Sequence, residues 1–281
     1  MKDNECLICG NSGGWTKVTR LPHFIFGKQA DIVKCDRCGC AKTVPKPDSL
    51  EFYEDNNRYV ELFTEKSKVY AKYSNHILSG LDGLIVAEGS RLLDVASGGG
   101  FLVEAAKTRG YAAEGVELNK EMAMWCQGRG LDVHHGDALD FLESCKPYDV
   151  IVLSSIIEHM DNPLKLIEIC RKALNPGGMI LVSQAIYSGL LPTIFPWGWY
   201  GWQPKEHYWH FTDISLNRLF GNLGFEIIKA QKLSLHHPWF IKGGVKNIFG
   251  RNLVALIARI ANLVGQEDGC LLVIKPVCTC D

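Results

Sequence analysis

"RLLDVASGGGFL", residues 91–102, runs an apolar segment straight into three consecutive glycines and leaves them as an amphipathic helix. The alternation continues downstream. Strands are expected at RLLDV (91–95), AAEGVE (112–117), DVHHG (132–136), YDVIVLS (148–154) and GMILVSQ (178–184), with helical spacing near 101–109, 119–129, 138–145 and 162–174. Such a pattern builds βαβ units, so the expected fold class is α/β, a doubly wound, Rossmann-like, mostly parallel sheet. Ligands in that architecture sit outside the carboxyl ends of the strands, where the glycine turn lies.

Glycines 98 to 100 permit a sharp turn and let a ligand approach backbone N–H groups without meeting a Cβ. A phosphate loop would continue Gly-Lys-Ser/Thr, whereas this turn continues Gly100-Phe101-Leu102. The dinucleotide fingerprint fits poorly too, since counting from Gly98 puts Val103 at its third glycine. Two carboxylates decide the reading: Asp94 ends the first strand beside the turn, and Glu117 ends the second 23 residues later. An acid at the second position accepts ribose hydroxyls. An acid beside the turn repels pyrophosphate and suits a cation. S-adenosylmethionine, with ribose, ammonium and sulfonium but no phosphate, meets both demands.

On these residues the chain resembles the class I S-adenosylmethionine-dependent methyltransferases over about residues 85–230, with a zinc-ribbon-like N-terminal module of the kind seen in sugar and small-molecule methyltransferases. The resemblance implies seven strands. LLDVASGGGFL looks like the first family motif, with Ala96 replacing its usual first glycine, so Asp94, Ala96, Ser97, Gly98, Gly100 and Phe101 are assigned to the cofactor. GVELN resembles the ribose-binding motif and adds Glu117 and Leu118. HGDALDF implies that Asp137 bonds the adenine amino group beside the Ala138 N–H. SSIIEHMDNP resembles the fourth-strand segment, implying Ser154 and Ser155 beside the methionine portion, with Glu158-His159 opening toward the acceptor. GFEIIKAQ and CLLVIKP would be the last two, antiparallel strands.

Cys6-x-x-Cys9-Gly and Cys35-x-x-Cys38-Gly are paired knuckles that together offer a tetrahedral four-thiolate site. Zinc suits the set best, although iron accepts the same ligands. With every position taken by sulfur, the metal is structural. Cys126, Cys145 and Cys170 are expected as small buried groups, and Cys278 and Cys280 as tail thiols. The segments WTKVTRLPHFIFG and ADIVKC between the knuckles are expected to pair as a small sheet. The expected organisation is a four-cysteine, zinc-ribbon-like module over 1–50, a linker and helix over 51–84, and the methyltransferase-like domain over 85–281.

A net charge of −1 gives no field to hold a polyanion, which counts against nucleic acid as partner. No stretch reaches the ~20 apolar residues that span a bilayer, and the N-terminus lacks a secretory pattern, so a cytoplasmic protein is expected. Residues 187–212 hold four of the seven tryptophans and read as a substrate wall or lid. His207 and His210 within it, and then His159, are the candidate catalytic bases, because imidazole titrates near neutrality. Residues 235–268 form an insertion whose apolar helix packs on the substrate side or on a second copy of the chain. The expected function is methyl transfer to a small-molecule acceptor, a sugar, glycan intermediate or other metabolite. Its competitors are a zinc-containing RNA methyltransferase, a non-catalytic zinc-ribbon binding module and a Rossmann oxidoreductase.

Overall fold

A computed structural model describes residues 5–23, 27–48, 58–84, 87–233 and 248–277. The central sheet contains β4 (Arg91–Val95), β5 (Ala112–Glu117), β6 (Val133–His135), β7 (Tyr148–Ser154), β8 (Leu174–Ala185), β10 (Phe225–Leu233) and β11 (Gly269–Pro276). Its order is β10-β11-β8-β7-β4-β5-β6, the chain winding outward from β4 first to one edge and then to the other. That change of direction opens a crevice over the tips of β4 and β7. Pairing is parallel from β6 to β8. The last two strands pair antiparallel with each other as expected, and β11 also pairs antiparallel with β8, so of the two only β11 runs against the parallel strands.

Alternation along the strands explains why both faces are covered. Leu93, Val95, Ile151 and Leu153 enter one core, while Leu92, Val150 and Val152 enter the other. Each such leucine or isoleucine, fully buried, contributes about 1.5–3 kcal/mol of transfer free energy. Helices α3 (Phe101–Thr108), α4 (Lys120–Gly128), α5 (Ala138–Ser144) and α6 (Pro163–Lys172) connect the strands. Asn119, Asp137 and Asn162 cap three of them by accepting first-turn N–H groups. The helical stretch before the sheet is broken at Lys66 into α1 (Arg58–Glu65) and α2 (Ser67–Leu78).

The N-terminal sheet contains β1 (Trp15–Leu21), β2 (Ala30–Cys35) and β3 (Ala41–Val44), all antiparallel, and it recruits a fourth strand from far along the chain, β9 (Trp209–His210). The expected pairing of β1 with β2 is present, but the sheet does not end at the module. Ala41 pairs with His210 and Lys42 with Trp209. Asn222, on α8 (Asp213–Asn222), donates to the Ile8 carbonyl at 2.8 Å, and the Tyr187 hydroxyl donates to the Gly39 carbonyl. The cysteines accordingly share one continuous core with Leu153, Trp209, Phe211 and Phe220.

The aromatic segment packs as a wall. Trp199, Trp202 and Trp209 are buried and only Trp197 of its tryptophans is exposed. Within it α7 (Leu190–Ile194) packs against α9 (Ile248–Val264), which places Ile257 and Ala258 in the core that holds Trp199 and Trp202. The aromatic segment is therefore the surface that receives one face of the apolar helix, while Leu256, Ile260 and Leu263 remain exposed. The first part of the insertion, residues 235–247, lies outside the described residues, as do Cys278 and Cys280. Among the described residues no helix is long and apolar enough to cross a membrane.

Candidate active site

Asp94 and Glu117 lie at adjoining strand tips, and both are almost fully buried, at 3% and 4% exposure. Glu117 is built into the turn: one oxygen accepts the Gly98 N–H at 2.7 Å and the other the Asn119 N–H at 2.9 Å. A carboxylate has about four lone-pair sites, so each oxygen retains room for a hydroxyl donor. Burial raises the Glu117 pKa, against the pull of those N–H groups. Asp94 is pushed up to about 8, by burial first and by the Glu117 charge second. An acid in this setting is matched to a cationic ligand, whose charge would restore the ionised form.

The turn between them depends on its glycines. Gly98 and Gly100 lie at φ +49° and +68°, in the left-handed region. A Cβ on Gly100 would fall 2.8 Å from Leu131 Cδ1 and 3.1 Å from Cys126 Sγ. Ala96 also lies at positive φ, +57°, where a Cβ costs about 1 kcal/mol, so alanine at the family's glycine position is retained under mild strain. Arg129 binds the Gly99 carbonyl at 2.7 Å and lies over the rings of Phe101 and Trp125. Phe63 of α1 covers the turn, stacked on Tyr70 at 4.3 Å, with its ring near where Cβ atoms of Gly98 and Gly99 would stand. Sequence reasoning missed Phe63, because it reads as an ordinary position at the start of the helix expected before the sheet, with no local signal that it packs on the glycine turn.

The remaining assigned residues follow the same strand tips. Ser97 is half-buried, its hydroxyl without a hydrogen-bond partner among the described residues, and Leu118 follows Glu117 at the tip of β5. Asp137 is exposed and uses one oxygen to cap α5, accepting from Leu139 and Asp140, with Ala138 next to it. Ser154 ends β7, and Ser155 bends the chain at φ +51° with its N–H on the Ser183 carbonyl.

The three candidate histidines divide. His159 and His207 meet edge to face, ring centroids 4.6 Å apart, with Glu158 beside them. His210 does not join that group: its Nε2 lies 2.8 Å from Thr43 Oγ1, and its ring packs on Trp202. The same Thr43 hydroxyl donates to the His207 carbonyl at 2.7 Å, so the ribbon strand β3 holds the backbone of the histidine segment. Burial drives His207 down to about 4 and His159 and His210 well below the usual imidazole range. All three are neutral at pH 7. Glu158, 1% exposed, is pushed up to about 7 by burial, with nearby Gln184 drawing it down a little. Neither of its oxygens makes a hydrogen bond of ordinary geometry among the described residues. Tyr73 and Ser183, bonded at 3.1 Å, and Gln184 line the same region over β8. None of these three is legible in sequence, since each reads as an ordinary helix or strand position; Glu158 has a signal, an acid followed by histidine shortly after an apolar strand.

The four knuckle cysteines converge. Cys6 and Cys38 sulfurs are 3.6 Å apart, as are those of Cys9 and Cys35, and all four lie within 4.8 Å of one another. Tetrahedral coordination at 2.3 Å places sulfurs about 3.8 Å apart, so the cluster fits a zinc ion and could form a zinc module. Cys38 is held down to about 5 by a hydrogen bond from the Cys6 thiol, aided by the Cys40 N–H, while Cys6 is pushed up by giving that bond. Cys40 is outside the ligand group, with its thiol toward the Ala41 carbonyl. Cys126 and Cys170 are buried as expected, and Cys145 is half-buried.

Residues 70–230 match the family described as "Methyltransferase domain". Ubiquinone biosynthesis O-methyltransferase from Idiomarina loihiensis is 33% identical over 149 residues, 49% of this chain and 60% of that protein. The enzyme of the same name from Vibrio cholerae is 28% identical over 150 residues, 49% of this chain and 59% of its own length. The chain thus spans about 60% of the length of these curated relatives. Among solved structures, an S-adenosylmethionine-dependent methyltransferase from Archaeoglobus fulgidus superposes with a TM-score of 0.56 at 20% identity, over 77% of this chain and 99% of its own. One from Thermotoga maritima, described as a possible histamine N-methyltransferase, gives 0.56 at 18% identity, over 78% and 96%. Those two share the fold. Taken with the family match over more than half of its length, the strand order and the acid-bracketed glycine turn, the chain belongs to the class I S-adenosylmethionine-dependent methyltransferases.

Proposed function

We propose that this protein transfers the methyl group of S-adenosylmethionine to an oxygen of a small-molecule acceptor held beyond the tips of β7 and β8. The observation that carries the reading is the buried pair Asp94 and Glu117 on either side of the glycine turn, an acidic niche matched to a cationic nucleoside. Asp94, Glu117 and the turn amides would hold the cofactor, with Asp137 toward its base and Ser154 and Ser155 toward its methionine portion. The cofactor supplies an electrophilic methyl on sulfonium. The chain's part is to align the acceptor with it and exclude water, which removes much of the entropic barrier. Glu158, His159 and His207 would promote loss of the acceptor's proton. Oxygen is favoured over carbon or nitrogen as the accepting atom because the relatives above are named O-methyltransferases. The boundaries at residues 50 and 84, and zinc in the four-cysteine cluster, belong to the same proposal.

Label transfer from methyl-labelled cofactor to a panel of phenols, catechols, sugars and amines, with the label then located on the product, tests the reaction. His207→Ala should lower turnover by at least about 100-fold, in line with losing a proton-transfer or acceptor contact, while cofactor affinity changes less than about twofold. Wild-type turnover in His207→Ala would remove the assignment.

Cofactor uptake should also depend on pH. Below about pH 8 the free protein holds a proton on Asp94, and a cationic ligand requires the carboxylate. Binding therefore expels the proton, and affinity rises as pH climbs from 6 toward 8. Calorimetry at pH 7 in two buffers of different ionisation enthalpy should register release of about one proton, lost in Asp94→Asn; equal release by the two proteins would place the proton elsewhere.

A further inference from the structure

Two groups of metal-ligating side chains occur among the described residues, and the second lies on the acceptor side of the fold. We propose that Glu158, His159 and His207 form a binding site for a divalent first-row transition-metal cation. The proposal deepens the acceptor-site reading above and rests on it for the site's role.

Both imidazoles are already fixed in the tautomer a metal needs. His159 Nδ1 lies 3.1 Å from the Glu206 carbonyl, and His207 Nδ1 lies 2.8 Å from the Gly201 carbonyl. A carbonyl oxygen only accepts, so each Nδ1 carries the hydrogen and each Nε2 the lone pair. Orienting a ligand histidine by a backbone carbonyl on its other nitrogen is how proteins prepare metal sites. Glu158 supplies the negative ligand. Its two oxygens are enclosed without a hydrogen bond of ordinary geometry among the described residues, a costly state for a carboxyl unless something coordinates it.

The group is also held in place. N–H groups of Tyr208 and Trp209 both donate to the Glu158 carbonyl, at 2.9 and 3.0 Å, which ties the segment carrying His207 to the backbone of the glutamate. Thr43 grips the His207 carbonyl from the ribbon side. The three ligand atoms lie within 4.8 Å of one another. Tetrahedral bonds of 2.0–2.1 Å would place them about 3.4 Å apart, a contraction that side-chain rotation can supply.

A donor set of two imidazoles and one carboxylate selects zinc, manganese, iron or cobalt over magnesium and calcium, which prefer oxygen alone. Three protein ligands leave coordination open. An acceptor hydroxyl in the open position would become more acidic and give its proton to solvent water, its oxygen then bonding the methyl carbon as the carbon–sulfur bond of the cofactor breaks; the two imidazoles would act as ligands rather than bases.

The whole chain, with its cysteine site filled with zinc, is dialysed against Co2+ and its metal content counted. Wild type should bind one equivalent more than Glu158→Gln or His207→Ala, with metal affinity in those variants weakened at least about 100-fold. Cobalt at this site should give ligand-field absorption without the thiolate-to-cobalt charge transfer of a four-cysteine site. His159→Gln provides a third variant should either of the others fail to fold by circular dichroism. A wild-type protein that binds no more cobalt than the variants, or whose second equivalent shows thiolate charge transfer, overturns the site. Calorimetry of S-adenosylmethionine on the same samples separates the two readings: normal uptake without the extra metal removes this site alone, and absent uptake removes the methyltransferase reading with it.

Discussion

Glu117→Ala is expected to weaken S-adenosylmethionine uptake by at least about 100-fold, or about 2.7 kcal/mol. Two losses add. The ribose would lose the carboxylate partner proposed for it, and the N–H groups of Gly98 and Asn119, now bonded to the two carboxylate oxygens at 2.7 and 2.9 Å, would lose their acceptors inside the protein. Each donor stranded in that way costs about 1–3 kcal/mol. A fall in thermal stability should therefore accompany the loss of affinity. Glu117→Gln separates the contributions, since its single amide oxygen can keep only part of the arrangement, and it should fall between wild type and alanine. Calorimetry on folded protein reads both effects; unchanged uptake by Glu117→Ala would remove the cofactor assignment from this turn.

Cys38→Ser should abolish or nearly abolish methyl transfer while leaving cofactor uptake within about threefold of wild type. With zinc in the cysteine cluster as proposed, the folding energy it supplies would be large, about 10–16 kcal/mol in isolated finger peptides, so losing one thiolate would dismantle the ribbon. The consequence reaches the acceptor side through β3. Its pairing with β9, and the two hydrogen bonds of Thr43 to the His207 carbonyl and the His210 ring, position the segment that faces Glu158. The proposed cofactor niche stands on β4 and β5, which belong to the other sheet and pair with neither β3 nor β9. A drop in turnover of at least about 1000-fold, near the upper range for removal of positioned catalytic groups, is expected, with Thr43→Val showing a smaller loss in the same direction. Full turnover by a Cys38→Ser protein shown to lack metal at that site would mean that the ribbon is dispensable to the reaction.

These two variants probe the parts of the molecule that differ most in how they can be read from sequence. Asp94, the glycines and Glu117 sit at junctions between segments of opposite periodicity, where a strand pattern ends and a helix pattern begins. The chemistry there is local, and turn residues mark it. The paired knuckles are local as well, and the four cysteines meet as their spacing predicts. His210 is the instructive opposite. Nearness in the chain groups it with His207, yet a little farther along the segment it serves a different neighbour, Thr43.

Local chain chemistry was enough to specify the five parallel strands β4 to β8, the helices α3 to α6 that link them, the acidic pair about the turn and the cysteine cluster, because hydrophobic period, caps and turn residues act over short spans, whereas β10 and β11 were expected only from the family resemblance. Long-range packing was needed to make the aromatic segment a wall carrying a strand of the ribbon and to set Thr43 beneath a histidine segment 164 residues away. It also laid Phe63 on the glycine turn and closed Glu158 into a group with His159 and His207. Those partners are chosen by which buried surfaces and unpaired polar groups satisfy one another once the sheet has formed, and no local pattern encodes that choice.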